Sequence, residues 1–146
     1  MEQDIIENIS KLTKKRYSDR YEKLGKDIKT LGWGNEKQQE YRFIQTLFAD
    51  VNFEDKSVLD IGCGFGDYYN FLKKNKLNIK EYMGWDINEK FINESKNNFS
   101  NQDTYFEIKN ISKADLSEPI ADMGVMLGLL NWKLDDKEMN YEYSEQ

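Results

Sequence analysis

Carboxylates and glycines stand close together in one short stretch of the sequence, and these residue types can form a binding site for a small molecule. Asp60 ends a short apolar run, and Gly62, Gly64 and Gly66 follow it at every second position. The pattern predicts a buried strand, a tight turn and the start of a helix. Glycine lets the backbone approach a ligand, and the unpaired N–H groups of the helix point to the same place. We therefore predict a nucleotide-cofactor site at the carboxyl end of a parallel sheet.

The acidic residues beside the turn distinguish two classes of cofactor. The dinucleotide fingerprint places its last glycine where this chain has Asp67, and Asp60 lies just before the turn. Two carboxylates repel a pyrophosphate, but they attract the ammonium and sulfonium groups of S-adenosylmethionine. We therefore predict S-adenosylmethionine as cofactor, with S-adenosylhomocysteine as product, over an NAD-dependent dehydrogenase. Cys63 lies inside the turn, where a small residue tolerated in a crowded turn is favoured over a catalytic thiol.

Length, composition and charge narrow the class of protein. The chain has 146 residues, of which 38% are hydrophobic and 33% charged, and this is enough for one domain with one core. An acidic N-terminus without a signal peptide, one cysteine and no membrane span predict a cytoplasmic protein. A net charge of −6 argues against nucleic acid or an anionic membrane as partner. Without histidine and with one cysteine, a metal site is not expected.

Two helices are predicted ahead of the glycine turn. Apolar residues at helical spacing place the first from Asp4 to about Arg20, with Gly25 as its C-cap. The second runs from about Glu36 to Asp50, with Asn35 as its N-cap. Its apolar face consists of Phe43, Ile44, Leu47 and Phe48. Gln39 and Arg42 border that face, and composition alone favours a surface role for Arg42 over a role in a cleft.

Four strands are predicted, at 57–61, 81–86, 104–108 and 121–130. Asp86 ends the second strand, twenty positions beyond Gly66, where it can accept hydrogen bonds from both hydroxyls of a ribose. Asn88 then caps the following helix. Further candidates follow the third and fourth strands: Asn110 and Ile111 where an adenine would lie, Leu127 and Gly128 beside the cofactor, and Asn131 and Trp132 where a methyl acceptor would approach.

The stretch from residue 57 to 132 resembles the first half of a class I S-adenosylmethionine-dependent methyltransferase, through Asp60 and the three glycines at 62, 64 and 66. The resemblance implies an α/β, Rossmann-like parallel sheet of order 3-2-1-4. It implies that the glycines approach the methionine part of the cofactor, while Asp60 orients its ammonium group. Asp86 would hold the ribose and Ile87 would pack on the adenine. Asn110 stands where the family often has an acidic residue that binds the adenine amine.

The N-terminal part is similar to a group of bacterial small-molecule methyltransferases. The residues that carry this likeness are Tyr17, Tyr21, Leu31-Gly32-Trp33-Gly34 and Gln39-Glu40-Tyr41-Arg42-Phe43. The likeness implies that Trp33, Gln39 and Arg42 line the cofactor pocket, which reverses the preference from composition for Arg42. It also implies a small-molecule methyl acceptor. Candidates for the acceptor pocket are Tyr17, Tyr21, Asn131 and Trp132, and no catalytic base is assigned.

The expected domain organisation is a helical cap at 1–52, a cofactor-binding half-domain at 53–132 and a polar tail at 133–146. The later strands of the family find no room in this tail, so we expect a truncated fold in which strand four is an edge open to self-association. The predicted function is methyl transfer to a small molecule. The alternative is an assembly or regulatory module that binds S-adenosylmethionine without catalysis.

Overall fold

A four-stranded parallel sheet forms the centre of the protein. The computed structural model describes residues 2–99, 101 and 103–128. The strands are β1 (Ser57–Ile61), β2 (Glu81–Asp86), β3 (Thr104–Ile108) and β4 (Met123–Val125), in the order β3-β2-β1-β4. All three pairings are parallel, and Leu59 of β1 lies opposite Met83 of β2 and Gly124 of β4. The predicted α/β sheet and its strand order are therefore confirmed.

In the described part of the chain, four helices accompany the sheet: α1 (Glu2–Leu24), α2 (Glu36–Leu47), α3 (Asp67–Lys74) and α4 (Glu89–Asn98). A 3₁₀ turn follows β3 at Ile111–Lys113. Helices α3 and α4 are the crossovers that parallel neighbouring strands require. None of the helices within the described ranges is both long enough and apolar enough to cross a membrane.

The sequence marks where the helices begin and end. Asn35 accepts the Gln38 N–H at 2.9 Å, and the Gln38 side chain accepts the Gly34 N–H at 2.7 Å, so α2 begins with reciprocal capping bonds. Asn88 accepts the Lys90 N–H at 3.0 Å at the start of α4. Gly25 has a φ of +64° and ends α1 in the left-handed conformation that glycine adopts at low cost.

The core is rich in aromatic rings. Val58, Tyr82, Leu72 and Ile92 are completely buried between the sheet and helices α3 and α4. Phe43 joins α2 to this core, because its ring lies 5.2 Å from that of Tyr68 and 5.6 Å from that of Phe71. The core thereby fixes α2 relative to β1 and α3.

Three elements differ from the sequence prediction. Helix α1 extends to Leu24, beyond the expected end near Arg20. Helix α2 ends at Leu47, so Phe48 occupies the cap and is 80% exposed rather than part of the apolar face.

Strand β4 covers only Met123–Val125 of the range expected for a long buried strand. Its start is fixed by Asp122, whose carboxylate accepts the Ser57 N–H and hydroxyl, each at 2.9 Å. Among the described residues β4 pairs with β1 alone, and Gly124 is exposed. Because a neighbouring strand pairs with only one edge of β4, fewer interstrand hydrogen bonds stabilise a longer strand here. Residues 129–132 lie outside the described residues, and the three domain boundaries stay predictions.

Candidate functional site

A pocket opens at the carboxyl ends of β1, β2 and β3. Its floor is the glycine turn after β1, and its walls are α1, the loop at 31–34, the start of α2 and the segment after β3. This is the edge where ligands bind in open parallel sheets. The lining residues are Ile6, Ile9, Ser10, Thr13, Tyr17, Leu31, Trp33, Gln39, Phe43, Asp60, Ile61, Gly62, Cys63, Gly64, Asp67, Tyr68, Trp85, Asp86, Ile87, Phe91, Lys109, Asn110, Ile111, Ser112, Leu127 and Gly128.

The glycine turn needs its glycines for conformation and for space. Gly62, Gly64 and Gly66 have φ values of +77°, +56° and +80°, which residues other than glycine rarely adopt. A Cβ on Gly64 would lie 2.8 Å from a methyl group of Leu31. The Gly62 and Cys63 N–H groups both donate to the Trp85 carbonyl, at 2.8 and 3.0 Å. The turn is therefore tied to β2, and the loop at 31–34 packs directly on it.

Asp86 is held against the glycine turn by backbone donors. One carboxylate oxygen accepts the Gly64 N–H at 3.0 Å, and the other accepts the Asn88 N–H at 2.9 Å. Burial raises the pKa of Asp86 to about 6, although the bonds from Asn88, Gly64 and Ile87 lower it. The carboxylate is thereby fixed beside the turn, with lone pairs left for hydroxyl donors of a ligand.

Asp60 is the most deeply buried carboxylate of the pocket. It is 3% exposed, and the Tyr82 hydroxyl donates a hydrogen bond to it. Burial raises the pKa of Asp60 to about 7, the Tyr82 bond lowers it, and the charges of Asp86 and Asp67 raise it further. A cation placed beside Asp60 would favour its ionised form, so this position suits a positively charged ligand.

Asp67 connects the two helices that flank the turn. It opens α3, where a negative charge is favourable, and its side chain accepts a hydrogen bond of 3.0 Å from the Gln39 amide. Gln39 is buried on α2, so the bond fixes α2 against the pocket. Lys109 is the one cationic side chain among the described lining residues, and its ammonium lies 4.3 Å from the Trp85 ring and 3.3 Å from Glu107.

Cys63 is buried, and its surroundings oppose thiolate formation. Burial raises the pKa of the thiol well above its ordinary value, and the charges of Asp86 and Asp60 add to the rise. Its sulfur would lie 2.9 Å from a Cβ placed on Gly84. These observations support the structural interpretation of Cys63, since an unactivated buried thiol is inert.

Most of the candidate residues from the sequence come together in this pocket. The residues that line it are Tyr17, Trp33, Gln39, Asp60, Gly62, Cys63, Gly64, Asp67, Asp86, Ile87, Asn110, Ile111, Leu127 and Gly128. Binding by these residues stays a prediction. Asn131 and Trp132 lie outside the described residues.

Three candidates are not among the described residues that line the pocket. Arg42 is exposed, because the side of α2 that faces the pocket presents Gln39 and Phe43. Gly66 is buried at the start of α3, where a Cβ would lie 2.9 Å from the Phe99 ring, so close packing explains this glycine. Tyr21 donates to Glu94 of α4 at 2.6 Å, and its ring lies 6.2 Å from that of Phe91.

Asn110 lines the pocket, but its amide oxygen is engaged elsewhere. That oxygen accepts the Ser112 N–H at 3.1 Å and the Ser112 hydroxyl at 2.8 Å. The amide nitrogen donates to the Ser10 hydroxyl at 2.8 Å. Since a carbonyl oxygen has two lone pairs, the bond to an adenine amine that the sequence suggested for Asn110 has no acceptor left.

Tyr17 is the one lining residue of α1 that sequence reasoning identified, and the other lining residues of this helix were missed. The apolar residues whose spacing predicted this helix do not all face the protein, since Ile9 is buried and Leu12 is 47% exposed. The residues that reach the pocket are Ile6, Ile9, Ser10, Thr13 and Tyr17. The spacing of 6, 10, 13 and 17 is a helical stripe, and this signal was present in the sequence.

Polar side chains dock α1 onto the rest of the protein. Besides the Ser10–Asn110 bond, the Ser18 hydroxyl accepts from the Asn88 amide at 3.2 Å, and Glu22 pairs with Lys90. The Tyr17 ring lies edge-on to that of Phe91 at 6.0 Å. Helix α1 thus crosses the carboxyl ends of the strands and covers the pocket.

A comparison with family models identifies the family of the chain. Residues 58–143 match the family described as "Methyltransferase domain". The match spans more than half of the chain, and the chain belongs to this family of methyltransferase domains. The resemblance drawn from the glycine turn is therefore confirmed. No curated protein matches the sequence significantly.

Solved structures of methyltransferases show the same fold. Phosphoethanolamine N-methyltransferase 1 of Haemonchus contortus, in complex with phosphoethanolamine and S-adenosylhomocysteine, is 17% identical with a TM-score of 0.63, over 82% of this chain and 25% of that chain. The plantazolicin methyltransferase BpumL, in complex with S-adenosylhomocysteine, is 22% identical with a TM-score of 0.50, over 100% of this chain and 56% of that chain. An S-adenosylmethionine-dependent methyltransferase from Mesorhizobium loti is 17% identical with a TM-score of 0.50, over 60% and 38%. This chain therefore spans between a quarter and little more than half of these three proteins.

Proposed function

We propose that the chain binds S-adenosylmethionine and takes part in methyl transfer to a small-molecule acceptor. The charge of the pocket carries the proposal. Asp60, Asp67 and Asp86 surround the glycine turn, and Lys109 is the single cation among the described lining residues. Such a pocket favours a ligand with positive charge. The sulfonium and ammonium groups of S-adenosylmethionine supply that charge, whereas the pyrophosphate of NAD opposes it.

The residues present fit this cofactor in shape as well as in charge. In the proposed arrangement Asp86, oriented by the Gly64 and Asn88 N–H groups, accepts hydrogen bonds from the ribose hydroxyls. Asp60 faces the ammonium group, and Ile87 packs on the adenine. Gly64 lets Leu31 pack directly on the turn, because a Cβ there would lie 2.8 Å from a Leu31 methyl group.

When bound, the cofactor supplies a methyl group that its sulfonium already activates. The work left to the protein is to hold donor and acceptor in line and to exclude water. Trp33 and Phe43, whose ring centroids are 6.4 Å apart, form an apolar wall beside Asp67 for this purpose. The chain contains no histidine, so we assign no general base. An acceptor that needs no early deprotonation suits this pocket.

The proposal of a small-molecule acceptor draws on one relative and on the resemblance of the N-terminal part. Phosphoethanolamine, present in the Haemonchus contortus structure, is a small molecule. Two of the residues that carry the resemblance to the bacterial small-molecule group, Trp33 and Gln39, line the pocket, whereas Arg42 does not. Tyr17 lines it too and is our candidate for contact with the acceptor.

Calorimetric titration tests the cofactor. S-adenosylmethionine and S-adenosylhomocysteine should bind the full chain, and NAD should not. Asp86→Ala should weaken both by at least about tenfold, roughly 1.4 kcal/mol, because the ribose loses a charge-assisted partner. Asp103→Ala removes an exposed carboxylate from the loop before β3 and should bind like the wild type. Failure of the wild type to bind either ligand would overturn the proposal.

Methyl transfer is tested separately from binding. Chain that binds S-adenosylmethionine should transfer its methyl group to a member of a panel of small O-, N- and C-nucleophiles, detected as S-adenosylhomocysteine released. Binding without transfer to any member would instead support the assembly or regulatory module.

The proposal also includes the cellular compartment and the self-association of the protein. The one cysteine, buried and free, suits the reducing cytoplasm.

The β4 edge, which pairs only with β1 among the described residues and lies beside the 45%-exposed Met126, suits self-association. Light scattering of the full chain across a wide concentration range should show a rising average mass, and a constant monomer mass would exclude it.

A further inference from the structure

Thr13 of α1 carries a buried hydroxyl that the protein leaves unpaired. The residue is 5% exposed, and its Oγ1 atom has no hydrogen-bond partner among the described residues. Buried hydroxyls are normally paired, because losing water without a replacement is costly. Another helical threonine shows the ordinary arrangement, since Thr46 donates to the Phe43 carbonyl at 2.7 Å. Thr13 also lines the pocket, so its missing partner points to a ligand there.

The neighbours of Thr13 along α1 locate its side chain over the pocket. Three residues earlier, Ser10 accepts a bond from Asn110, which follows β3. Four residues later, burial raises the pKa of Tyr17 and the nearby charge of Asp86, which ends β2, adds to the rise. Thr13 therefore lies between the ends of β3 and β2. In the proposed binding mode this is where the nucleoside half of the cofactor rests.

We infer that the Thr13 hydroxyl is a hydrogen-bonding group for the nucleoside half of the bound ligand. The inference rests on the proposed function and adds α1 to its binding site. A hydroxyl can donate to a ring nitrogen and accept from an amine or a ribose hydroxyl. Asn110 has no lone pair left for this purpose, because Ser112 occupies both. Thr13 can therefore supply the hydrogen bond to the nucleoside that Asn110, in the segment after β3, cannot supply.

Thr13→Val tests the inference, because it removes the hydroxyl and keeps the shape. Calorimetry should show adenosine and S-adenosylhomocysteine bound about three- to tenfold more weakly than by the wild type. The melting temperature of the ligand-free variant should rise, since a buried unpaired hydroxyl is gone. A structural hydroxyl would give the opposite result, with a lower melting temperature and unchanged affinities.

Three further variants separate the possible explanations. Thr46→Val should lower the melting temperature, because it removes a hydroxyl that is paired with the Phe43 carbonyl and the Tyr68 hydroxyl. Thr13→Ser keeps the hydroxyl and should bind adenosine like the wild type. Asp60→Asn should weaken S-adenosylhomocysteine more than adenosine, which lacks the amino-acid half.

The outcomes are distinct. If the wild type binds neither adenosine nor S-adenosylhomocysteine, the proposed function fails and the inference fails with it. If the wild type binds both and Thr13→Val binds them equally well, only the inference is overturned. Equal weakening by Thr13→Ser and Thr13→Val would also overturn it, because Thr13→Ser keeps the hydroxyl and the loss would then follow from altered packing.

Discussion

Replacing Asp60 by asparagine tests the electrostatics of the pocket. In the wild-type protein, burial raises the pKa of Asp60 from 3.8 to about 7, although the Tyr82 bond lowers it. Between these two values the folded protein binds more protons than the unfolded chain, so its free energy of unfolding falls as the pH rises through that window. Asparagine keeps an oxygen that can accept the Tyr82 bond, but it does not ionise. The variant should lose this part of the pH dependence.

The magnitude follows from the two pKa values of Asp60. Raising the pH from 5 to 8 should reduce the wild-type free energy of unfolding by about 2–3 kcal/mol through this residue, since one pKa unit corresponds to about 1.4 kcal/mol. Burial also raises the pKa of Asp86, to about 6, and this contribution has the same sign in both proteins. The difference between wild type and Asp60→Asn therefore reports Asp60 together with its electrostatic coupling to Asp86.

Urea denaturation at pH 5, 6, 7 and 8 measures the difference. The stability of Asp60→Asn relative to the wild type should increase across this range by the amount just given. Asp103→Asn, at an exposed position before β3, should follow the wild type at every pH. Parallel stability curves for wild type and Asp60→Asn would refute the reasoning, because Asp60 would then ionise alike in the folded and unfolded states.

Three further predictions concern the pocket and the sheet. The affinity for S-adenosylmethionine should fall about fivefold from pH 7 to pH 6, a range in which the ammonium of the ligand stays charged and Asp60 becomes protonated, and calorimetry should find a smaller loss in Asp60→Asn. Gly64→Ala should cost about 1–2 kcal/mol in urea denaturation and weaken S-adenosylhomocysteine, because φ is +56° and Leu31 lies 2.8 Å from the new Cβ. Gly84→Ala should cost about 1–3 kcal/mol by overpacking, since the new Cβ would lie 2.7 Å from Phe106, and an unchanged urea midpoint would contradict this.

Local sequence signals predicted the elements that local interactions determine. The ends of β1, β2 and β3 are as expected, because each strand is bounded by its own turn residues. The Asn35 cap is also correct, since an N-cap bond spans only three residues. Asp86 reached the glycine turn because two neighbouring parallel strands end at the same edge of a sheet.

Features that depend on distant parts of the chain were not predictable in this way. Helical spacing identified α1, but it does not say which face meets a pocket 50 to 100 residues away in sequence. Arg42 was misplaced for the same reason, because a position bordering an apolar face can turn toward a cleft or toward solvent. The brevity of β4 depends on its neighbours in the sheet rather than on its own apolar residues.

The two buried carboxylates of the acidic pocket reduce the stability of the fold near neutral pH, but the same carboxylates favour the binding of a cation. Desolvation raises the pKa values of both Asp60 and Asp86, so near neutral pH their ionisation opposes folding. Hydrogen bonds from Tyr82, Gly64 and Asn88 offset only part of this cost. A cationic ligand offsets more of it, because it stabilises the ionised form of the same carboxylates. The buried carboxylates that reduce the stability of the ligand-free protein therefore favour positively charged ligands over neutral or negatively charged ones. Apolar walls alone do not provide this selectivity.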